Sequence, residues 1–440
     1  MKFISTRNNS SAVSFFEAMR RGLAPDGGLY MPEQIPVISE GFWSSISDKS
    51  FPEIAFEMAK PYLEDELTEN TLRDVVEEAF NFPVRMKSLG NRHHVLELFH
   101  GPTLAFKDFG ARFMARLFSE NAQKKSEEVT ILVATSGDTG GAVAHGFYKV
   151  PGVRVCLLYP KGKVSPLQEK QMTTLGENIT ALEVDGVFDD CQRLVKKAFL
   201  DKELNEKIQL SSANSINIAR LLPQSFYYAF AVAELMNRGV LSELPVFSVP
   251  SGNFGNLTGG VLAGLMGLPI KHFLAATNAN DVVPYYLKSG DFKPKDSVQT
   301  ISNAMDVGNP SNFSRMKFLF KGSESMMRCK ISGYSYSDEE TRQTIMDVFE
   351  EKGGYLLCPH TAIGYRAAIE YQSENNTDNH LITLATAHPV KFRDVIEPVI
   401  DKKIELPSRL NSTLKNEKKT LSIDKRYESF KEQLMQINAC

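Results

Sequence analysis

The chain has 440 residues, which is too long for one compact core and predicts about two to four domains. Apolar residues make up 42% of the chain and charged residues 23%, as in an ordinary soluble globular protein. The formal net charge is -3, with 50 Lys and Arg against 53 Asp and Glu. This balance argues against a general nucleic-acid binder or a membrane-surface protein, although it would not reveal a local basic pocket.

Targeting, membrane and metal signals are weak throughout the chain. The N-terminal stretch "MKFISTRNNSSAVSF" lacks the apolar core of a signal peptide, and "GGVLAGLMGLPI" is shorter than the roughly 18 residues of a membrane span. The histidines show no metal-binding spacing, so we predict no metal site. The cysteines form no CxxC pair and predict reduced thiols in a cytoplasmic protein; they are Cys156, Cys191, Cys329, Cys358 and Cys440.

Apolar periodicity changes along the chain. Residues 1–92 mix helical stretches with the turn-rich "APDGGLYMPEQIP" and predict an extension packed on the main body. From about residue 129, buried runs alternate with helix-like stretches; the runs are "VTILVAT", "VRVCLLYP", "ITALEVDG", "LPVFSVP", "HFLAAT" and "NHLITLATAHP". This alternation predicts α/β architecture with largely parallel sheets, in which ligands bind at the carboxyl ends of strands. The charged tail from about residue 405 includes "KRYESFKEQLMQI", which predicts a surface helix.

One lysine interrupts an apolar, turn-rich stretch, "HGPTLAFKDFG" at residues 100–110. Burial of an ammonium group is costly unless the charge is paired or lost. Lys107 either opens a helix and reaches water, or it lies desolvated, loses its proton and acts as a nucleophile. The stretch alone leaves both interpretations open.

Two polar, glycine-containing loops follow predicted strands, "ATSGDTGG" at 134–141 and "SGNFGN" at 251–256. Glycines allow close approach to the backbone, hydroxyls donate hydrogen bonds, and a helix N-terminus favours anions. Strand-to-helix turns use the same residue types without any ligand, so either loop alone is ambiguous. Together they favour two bound anions, and neither fits a dinucleotide or P-loop nucleotide motif.

Two further stretches supply polar and basic side chains, "YPKGKVSPLQEK" at 159–170 and "SANSINIARLLPQS" at 212–225. Each is equally compatible with a solvated turn. A reactive lysine combined with a glycine-rich anion cradle is what a pyridoxal phosphate (PLP) enzyme requires. The residues therefore predict a lysine-imine enzyme with an anionic substrate, and they leave the substrate unnamed.

The motifs in sequence resemble those of the threonine synthases, PLP enzymes of fold type II, the tryptophan-synthase-β-like family. The resemblance covers nearly the whole chain and rests on "GLAPDGGLY", "ELFHGPTLAFKDFGARFMA", "ATSGDTGGAVAHGFY", "YPKGKVSPLQEKQM", "SANSINIARLLPQ", "VPSGNFGN", "NAMDVGNPSN", "CPHTAIGYRA" and "TAHPVKF". It implies conversion of O-phospho-L-homoserine and water to L-threonine and phosphate with PLP bound. The route would be γ-elimination of phosphate followed by β-addition of water.

Residue roles are implied by position in these motifs. Lys107 resembles the Schiff-base lysine, and Thr386 in "ATAHP" resembles the hydroxyl partner of the pyridine nitrogen. The implied cradle for the cofactor phosphate is Gly252, Asn253, Phe254, Gly255 and Asn256. The implied loop over the substrate's carboxylate end is Ser136, Gly137, Asp138 and Thr139. Candidates for the substrate phosphate are Lys161, Lys163, Asn217 and Arg220.

Two positions depart from related patterns. Asp138 stands where related β-eliminating enzymes have Asn in "SGNH", and two anions at the cofactor's phenolic oxygen would repel unless one is protonated. Cys358 in "CPHTA" stands where close relatives often have a different residue, which we interpret as packing variation.

The resemblance implies two open, twisted, mostly parallel sheets flanked by helices, with an N-terminal extension. The expected division is 1–92 for the extension, 93–108 and 215–404 for a large PLP-binding domain, 109–214 for a small substrate-loop domain, and 405–440 for a C-terminal tail. We expect a cytoplasmic monomer or homodimer whose partner is a small-molecule substrate, without nucleic acid or membrane. Two alternatives stay open: another fold type II enzyme, such as a serine or threonine dehydratase or a phospho-amino-acid lyase, and a non-catalytic PLP carrier.

Overall fold

The computed structural model describes residues 1–125, 128–408 and 410–439, so the prediction for Cys440 lies outside the described residues. The strands are β1 (Phe3–Ser5), β2 (Tyr30–Pro32), β3 (Arg85–Ser88), β4 (His93–Glu97), β5 (Val129–Ala134), β6 (Val153–Pro160), β7 (Ile179–Val184), β8 (Leu210–Ser212), β9 (Val246–Pro250), β10 (His272–Thr277), β11 (Ile331–Ser335), β12 (Leu381–Ala385) and β13 (Leu421–Ile423).

Helices connect and flank these strands. In the first half of the chain they are α1 (Phe15–Arg21), α2 (Glu40–Ser44), α3 (Phe51–Leu63), α4 (Glu69–Ala79), α5 (Lys107–Lys125), α6 (Asp138–Phe147), α7 (Pro166–Thr173), α8 (Phe188–Leu200), α9 (Lys202–Lys207) and α10 (Ile218–Leu221). In the second half they are α11 (Phe226–Asn237), α12 (Gly255–Leu265), α13 (Val282–Ser289), α14 (Phe313–Leu319), α15 (Glu324–Lys330), α16 (Asp338–Glu351), α17 (Pro359–Asn375), α18 (Arg393–Ile400), α19 (Leu410–Lys415) and α20 (Tyr427–Ala439). Short 3-10 helices span Ile46–Asp48, Leu222–Ser225, Asn303–Met305 and Pro389–Phe392.

Two open sheets carry most of the strands. The six-stranded sheet has the order β11-β10-β9-β12-β4-β3, and the five-stranded sheet has the order β13-β7-β6-β5-β8. All pairs in them are parallel except β3 with β4. The sequence prediction of an α/β fold with mostly parallel sheets is therefore confirmed.

The predicted apolar runs form the central strands. These strands are apolar on both faces because helices cover both faces of each sheet. Every residue of β5, β9 and β12 is buried, as expected for parallel strands flanked on both sides. A parallel sheet directs the carboxyl ends of its strands to one edge, and the polar loops after β5 and β9 lie at such edges.

The N-terminal residues pack on the main body as the sequence predicts. The antiparallel pair β1–β2 and helices α1 to α4 share one continuous apolar core with α5 and α11. The ring of Phe51 in α3 lies 5.4 Å from the ring of Phe109 in α5 and 5.8 Å from that of Phe230 in α11. The N-terminal helices thus pack against the start of α5, which carries Lys107.

The C-terminal tail is more deeply integrated than its charge suggests. β13 pairs in parallel with β7, and Phe430 and Leu434 of α20 are fully buried in the core of the five-stranded sheet. Lys418 contacts the carboxylates of both Glu169 and Glu183. The predicted helix is present, but one face of it belongs to the core.

Within the described residues, no helix is both long and apolar enough to cross a membrane. The same residues contain no group of three or more His, Cys, Asp or Glu arranged to hold a metal ion. Cys156, Cys191, Cys329 and Cys358 are free thiols.

Candidate active site

A cavity of about 480 Å³ lies where the carboxyl ends of strands from both large sheets meet. Segments after β4, β5, β9 and β12 contribute its walls, which is the usual ligand position in open α/β sheets. The predicted residues that line it are Lys107, Ser136, Asp138, Thr139, Lys163, Arg220, Gly252, Asn253, Phe254, Gly255, Asn256 and Thr386. The structure thus gathers most of the candidate residues around one space.

Lys107 is the first residue of α5 and faces this cavity. The preceding Ala105 forms a β-bridge with Ala387, and Phe106 N donates to the carbonyl of Thr386 at 2.8 Å. These contacts hold the segments carrying Lys107 and Thr386 side by side. Leu104 and Ala105 are fully buried, and the Lys107 side chain is half-buried where it lines the cavity.

Burial lowers the pKa of the Lys107 amine. The Asp138 carboxylate opposes that shift, whereas the cations of Arg220 and Lys391 act in the same direction as burial. A lowered pKa increases the share of neutral amine, which is the form that acts as a nucleophile or a base.

Asp138 opens α6 and forms a buried ion pair that the sequence analysis missed. Its Oδ1 lies 2.6 Å from the Nζ of Lys391 and accepts a hydrogen bond from Nε2 of Gln168 at 2.9 Å. Burial alone would raise the pKa of Asp138, but the Lys391 ammonium, first among the opposing causes, and the hydrogen bonds from Lys391 and Gln168 help to hold that pKa well below its usual range. Asp138 is therefore an anion with its own countercharge.

The backbone of the "SGNFGN" loop forms a concave turn before α12. Phe254 adopts the left-handed conformation with φ 59°, and Gly255 begins the helix. A Cβ on Gly252 would lie 2.7 Å from Cα of Met305, so only glycine fits there without a shift of the backbone. Such a turn presents backbone N–H groups and a helix N-terminus to one point.

Asn256 supplies a second indication that this turn fits an anion. Its Oδ1 accepts hydrogen bonds from the hydroxyls of Tyr227 at 2.6 Å and Tyr228 at 2.9 Å, which fixes the orientation of the amide. The Nδ2 of Asn256 is buried and has no hydrogen-bond partner in the protein. A buried donor without a partner is costly, and a phosphate oxygen would satisfy it. The residues present therefore fit the phosphate of a PLP cofactor.

A network behind the cradle holds Asn253 in place. Its Nδ2 donates to the Ser215 hydroxyl at 2.6 Å, and its carbonyl accepts from Nδ2 of Asn312 at 3.0 Å. Arg315 is fully buried and donates to Oδ1 of Asn312 at 2.9 Å and to the carbonyl of Tyr30 at 3.1 Å. This arginine ties the cradle to the N-terminal strand β2.

Thr386 and His360 line the cavity beside Lys107. Nε2 of His360 accepts from the backbone N–H of Ala304 at 3.3 Å. Burial lowers the pKa of His360 to about 4, so its imidazole is neutral at neutral pH. Cys358 lies behind it with its sulfur 3.1 Å from the Thr361 hydroxyl.

Arg220 is the most buried cation on the cavity wall among the predicted residues, at 3% exposure. It donates to the carbonyl of Ala213, and its Nε has no partner in the protein. Burial lowers its pKa to about 10, which leaves it charged at neutral pH. Lys163 lies on the exposed side of the same cavity.

Three predicted residues do not line the cavity. Lys161 is exposed on the surface. Asn217 caps α10: its side-chain oxygen accepts from Ala219 N, and its amide donates to the carbonyls of Met19 and Ser212. Gly137 is required by the backbone: a Cβ there would lie 2.6 Å from the Gln168 side chain, and its φ of 145° is a conformation that other residues rarely adopt. The amide of Asn217 is thus hydrogen-bonded within the protein and does not face the cavity, and its contact with the substrate phosphate stays a prediction.

Sequence reasoning assigned no role to Lys391, His360 or Ser215. Lys391 carries a signal like that of Lys107, a lysine between apolar neighbours in "PVKF" just after a buried strand. His360 in "CPHTA" and Ser215 in "SANSIN" carry no local signal, because nothing nearby distinguishes a histidine or serine that lines a cavity from one in a turn. Residues 303–307 also line the cavity, although their residue types in the sequence indicate no more than a turn.

Three family models match the chain and together span most of it. Residues 2–80 match the family described as the threonine synthase N terminus, residues 84–386 match pyridoxal-phosphate dependent enzymes, and residues 361–434 match the threonine synthase C-terminal family. The threonine synthase of Escherichia coli strain K12 is 45% identical over 410 residues, covering 93% of this chain and 94% of that one. That of Buchnera aphidicola from Acyrthosiphon pisum is 46% identical over 416 residues, covering 94% and 95%.

Solved structures give the same result. A crystal structure of threonine synthase from Escherichia coli superposes with a TM-score of 0.91 at 41% identity, covering 99% of this chain and 100% of that one. A PLP-bound threonine synthase from Brucella melitensis superposes with a TM-score of 0.93 at 34% identity, covering both chains fully at 100%. A threonine deaminase from Solanum lycopersicum, at 15% identity and a TM-score of 0.53, shares the fold alone. The chain belongs to the threonine synthase family of pyridoxal-phosphate-dependent enzymes.

Proposed function

We propose that this protein converts O-phospho-L-homoserine and water to L-threonine and phosphate. The observation that carries the proposal is a single cavity with two anion-binding walls beside a buried amine. The "SGNFGN" cradle accounts for one phosphate, and Arg220 with Lys163 leaves a second cationic wall that a cofactor alone does not require. Relatives at 45% identity over nearly the whole chain carry the same activity in their names.

The residues that would hold PLP are Lys107 for its aldehyde, residues 252–256 for its phosphate, and Thr386 for its ring nitrogen. When bound, PLP supplies an electron-withdrawing ring that stabilises negative charge at the substrate's α-carbon. The Thr386 hydroxyl, unlike a carboxylate, does not hold that nitrogen protonated. A hydroxyl at this position would leave the ring less electron-withdrawing than a carboxylate would. That difference suits a reaction that must proceed to Cγ before a proton returns to Cα.

The roles of the chain's own groups follow from their positions. The Lys107 amine takes the proton from the substrate's Cα, since burial favours its neutral form. Arg220 and Lys163 bind the substrate phosphate and stabilise the negative charge that develops as phosphate leaves Cγ. The loop residues Ser136 and Thr139 orient the carboxylate end, and the charge of Asp138 is compensated by Lys391.

Product analysis separates this function from its alternatives. The purified protein is incubated with O-phospho-L-homoserine, O-phospho-L-serine, L-serine or L-threonine, and threonine, keto acid and phosphate are measured. Equal amounts of threonine and phosphate from the first substrate alone support the proposal. A keto acid from serine or threonine would replace it with a dehydratase, and no turnover of any substrate would favour a non-catalytic PLP carrier.

Arg220→Ala tests the second anion site. We expect kcat/KM for O-phospho-L-homoserine to fall by about 100-fold or more, because one preorganised cationic donor contributes that much to a developing charge. Cofactor content should change little. Arg328→Ala, at an exposed ion pair on α15, is the matched control and should leave both unchanged. Equal losses of cofactor and activity in Arg220→Ala would contradict the assignment.

Other expectations are proposals of the same kind. We propose a cytoplasmic location, because the described cysteines are free thiols, and assembly as a monomer or a homodimer. We also retain the division into an extension, a large domain, a small domain and a tail. β3 from the extension and β13 from the tail are edge strands of the two large sheets. The division therefore marks segments of the chain and not separately folded units.

A further inference from the structure

Lys391 and Asp138 form an ion pair that joins the two large sheets, and Asp138 lines the same cavity as Lys107. Lys391 lies in the 3-10 helix Pro389–Phe392 after β12 of the six-stranded sheet, and Asp138 opens α6 after β5 of the five-stranded sheet. Their side chains are 0% and 6% exposed, and the charged atoms are 2.6 Å apart. Such burial makes salt screen this pair much less than a pair on the surface.

Each partner has a second fixed contact. Nζ of Lys391 also donates to the carbonyl of Thr103 at 2.9 Å, and Asp138 accepts from Gln168 at 2.9 Å. Thr103 in turn binds the carboxylate of Asp108 through its N–H at 2.9 Å and its hydroxyl at 2.6 Å. The position of the Lys391 ammonium is therefore determined by the loop that leads into Lys107.

A buried ion pair is weak evidence for stability, because desolvation offsets most of the Coulomb attraction. We therefore look to the surroundings of the pair for a role other than stability. The titratable and charged groups around Lys107 are Asp138, Arg220 and Lys391, with Asp108, His145, Arg112 and His360 in contact with the same elements. Asp138 is the carboxylate whose field reaches Lys107.

We propose that Lys391 is a positioning residue whose ammonium compensates the Asp138 carboxylate and thereby keeps the Lys107 amine available in its neutral form. Without Lys391, Asp138 would be left with Lys107 as its countercharge, and the reacting amine would be held as an ammonium ion. With Lys391 present, the buried anion is already matched, and the two lysine cations repel each other. This inference rests on the proposed function only in taking Lys107 as the reacting amine.

The test measures the protonation of Lys107 directly, in the full-length protein freed of cofactor. Acylation of Lys107 by a small anhydride is followed by mass spectrometry across pH, because only the neutral amine reacts. Lys391→Met keeps the length of the side chain and removes its charge. We expect the midpoint of the Lys107 profile to rise, because the Asp138 carboxylate would then keep Lys107 as its countercharge.

Two further variants keep the result independent of folding defects. Asp138→Asn removes the anion and should lower the Lys107 midpoint below that of the wild type. The double variant Lys391→Met/Asp138→Asn removes both charges of this pair and should return the midpoint toward the wild-type value. Lys403→Met, at an exposed lysine paired with Glu397, is the matched control and should leave the profile unchanged.

An unchanged or lowered midpoint in Lys391→Met would overturn the proposal, as would an unchanged midpoint in Asp138→Asn. If Lys391→Met does not fold, Asp138→Asn and the double variant decide by the same criterion. The visible absorption of the holoenzyme, titrated with pH, gives a second readout and should shift in the same order among the variants. Failure of the proposed function would appear instead as absent threonine formation, with the Lys107 profiles unaffected.

Discussion

Gly252→Ala tests whether the turn before α12 holds the cofactor phosphate. In the structure a Cβ at residue 252 would lie 2.7 Å from Cα of Met305 and 3.0 Å from the carbonyl oxygen of Ala304. Both are backbone atoms, so no side-chain rotation can relieve the contact. Either the cradle or the 3-10 helix Asn303–Met305 must move, and both segments line the cavity.

The expected size of the effect follows from that overlap. One additional methyl group in a packed site costs about 1–3 kcal/mol. If the displacement falls on the cradle, the same free energy weakens cofactor binding by about 5- to 150-fold, since every 1.4 kcal/mol is about tenfold. The unpartnered Nδ2 of Asn256 would be drawn out of line with the phosphate at the same time.

Equilibrium dialysis of PLP against the wild type and the variant measures this loss, with urea unfolding as a check on the fold. Gly264→Ala in α12 is the matched control, because a Cβ there meets nothing within 4 Å. Alanine is also the better helix former by about 1 kcal/mol, so the control should bind PLP normally. Wild-type affinity in Gly252→Ala would refute the placement of the cofactor phosphate.

Further predictions concern the support around the site. Arg315→Met removes donors from buried carbonyls and should lower the free energy of unfolding by about 2–4 kcal/mol in urea, whereas Arg328→Met should not change it measurably. Burial lowers the pKa of His145 to about 4, so the unfolded chain takes up a proton first as the pH falls. Stability should therefore fall between pH 7 and 4, and at pH 5 His145→Gln should recover about 2 kcal/mol of the loss from pH 8. Thr386→Val should fold normally and bind PLP about two- to tenfold more weakly, measured by dialysis, and unchanged binding would exclude its contact with the ring.

Local patterns were enough to predict the fold class and much of the cavity wall. The runs in β5, β9 and β12 are uniformly apolar because helices cover both of their faces, and that pattern is visible in the sequence itself. The "SGNFGN" loop and Lys107 are also local signals, since glycines mark close backbone approach and an isolated lysine marks an unusual environment. Parallel topology then places the ends of such strands together without further information.

The sequence did not predict which groups each polar or charged side chain contacts. Asn217 and Arg220 stand three residues apart in one polar stretch, yet the amide of Asn217 is used up in capping α10 while Arg220 faces the cavity. In the same way, the charge of the tail concealed Phe430 and Leu434, which complete the core of the five-stranded sheet.

The sequence by itself determined which segments become buried strands, where glycine turns end them, and that Lys107 follows an apolar stretch. Only the tertiary structure decided that Lys391 pairs with Asp138 and that Arg315 connects the cradle to β2. The physical reason is that strand burial and turn geometry depend on neighbouring residues, which are contiguous in the chain. A buried charge is instead satisfied by atoms from distant segments, and the packing of the two sheets brings those atoms within hydrogen-bond distance.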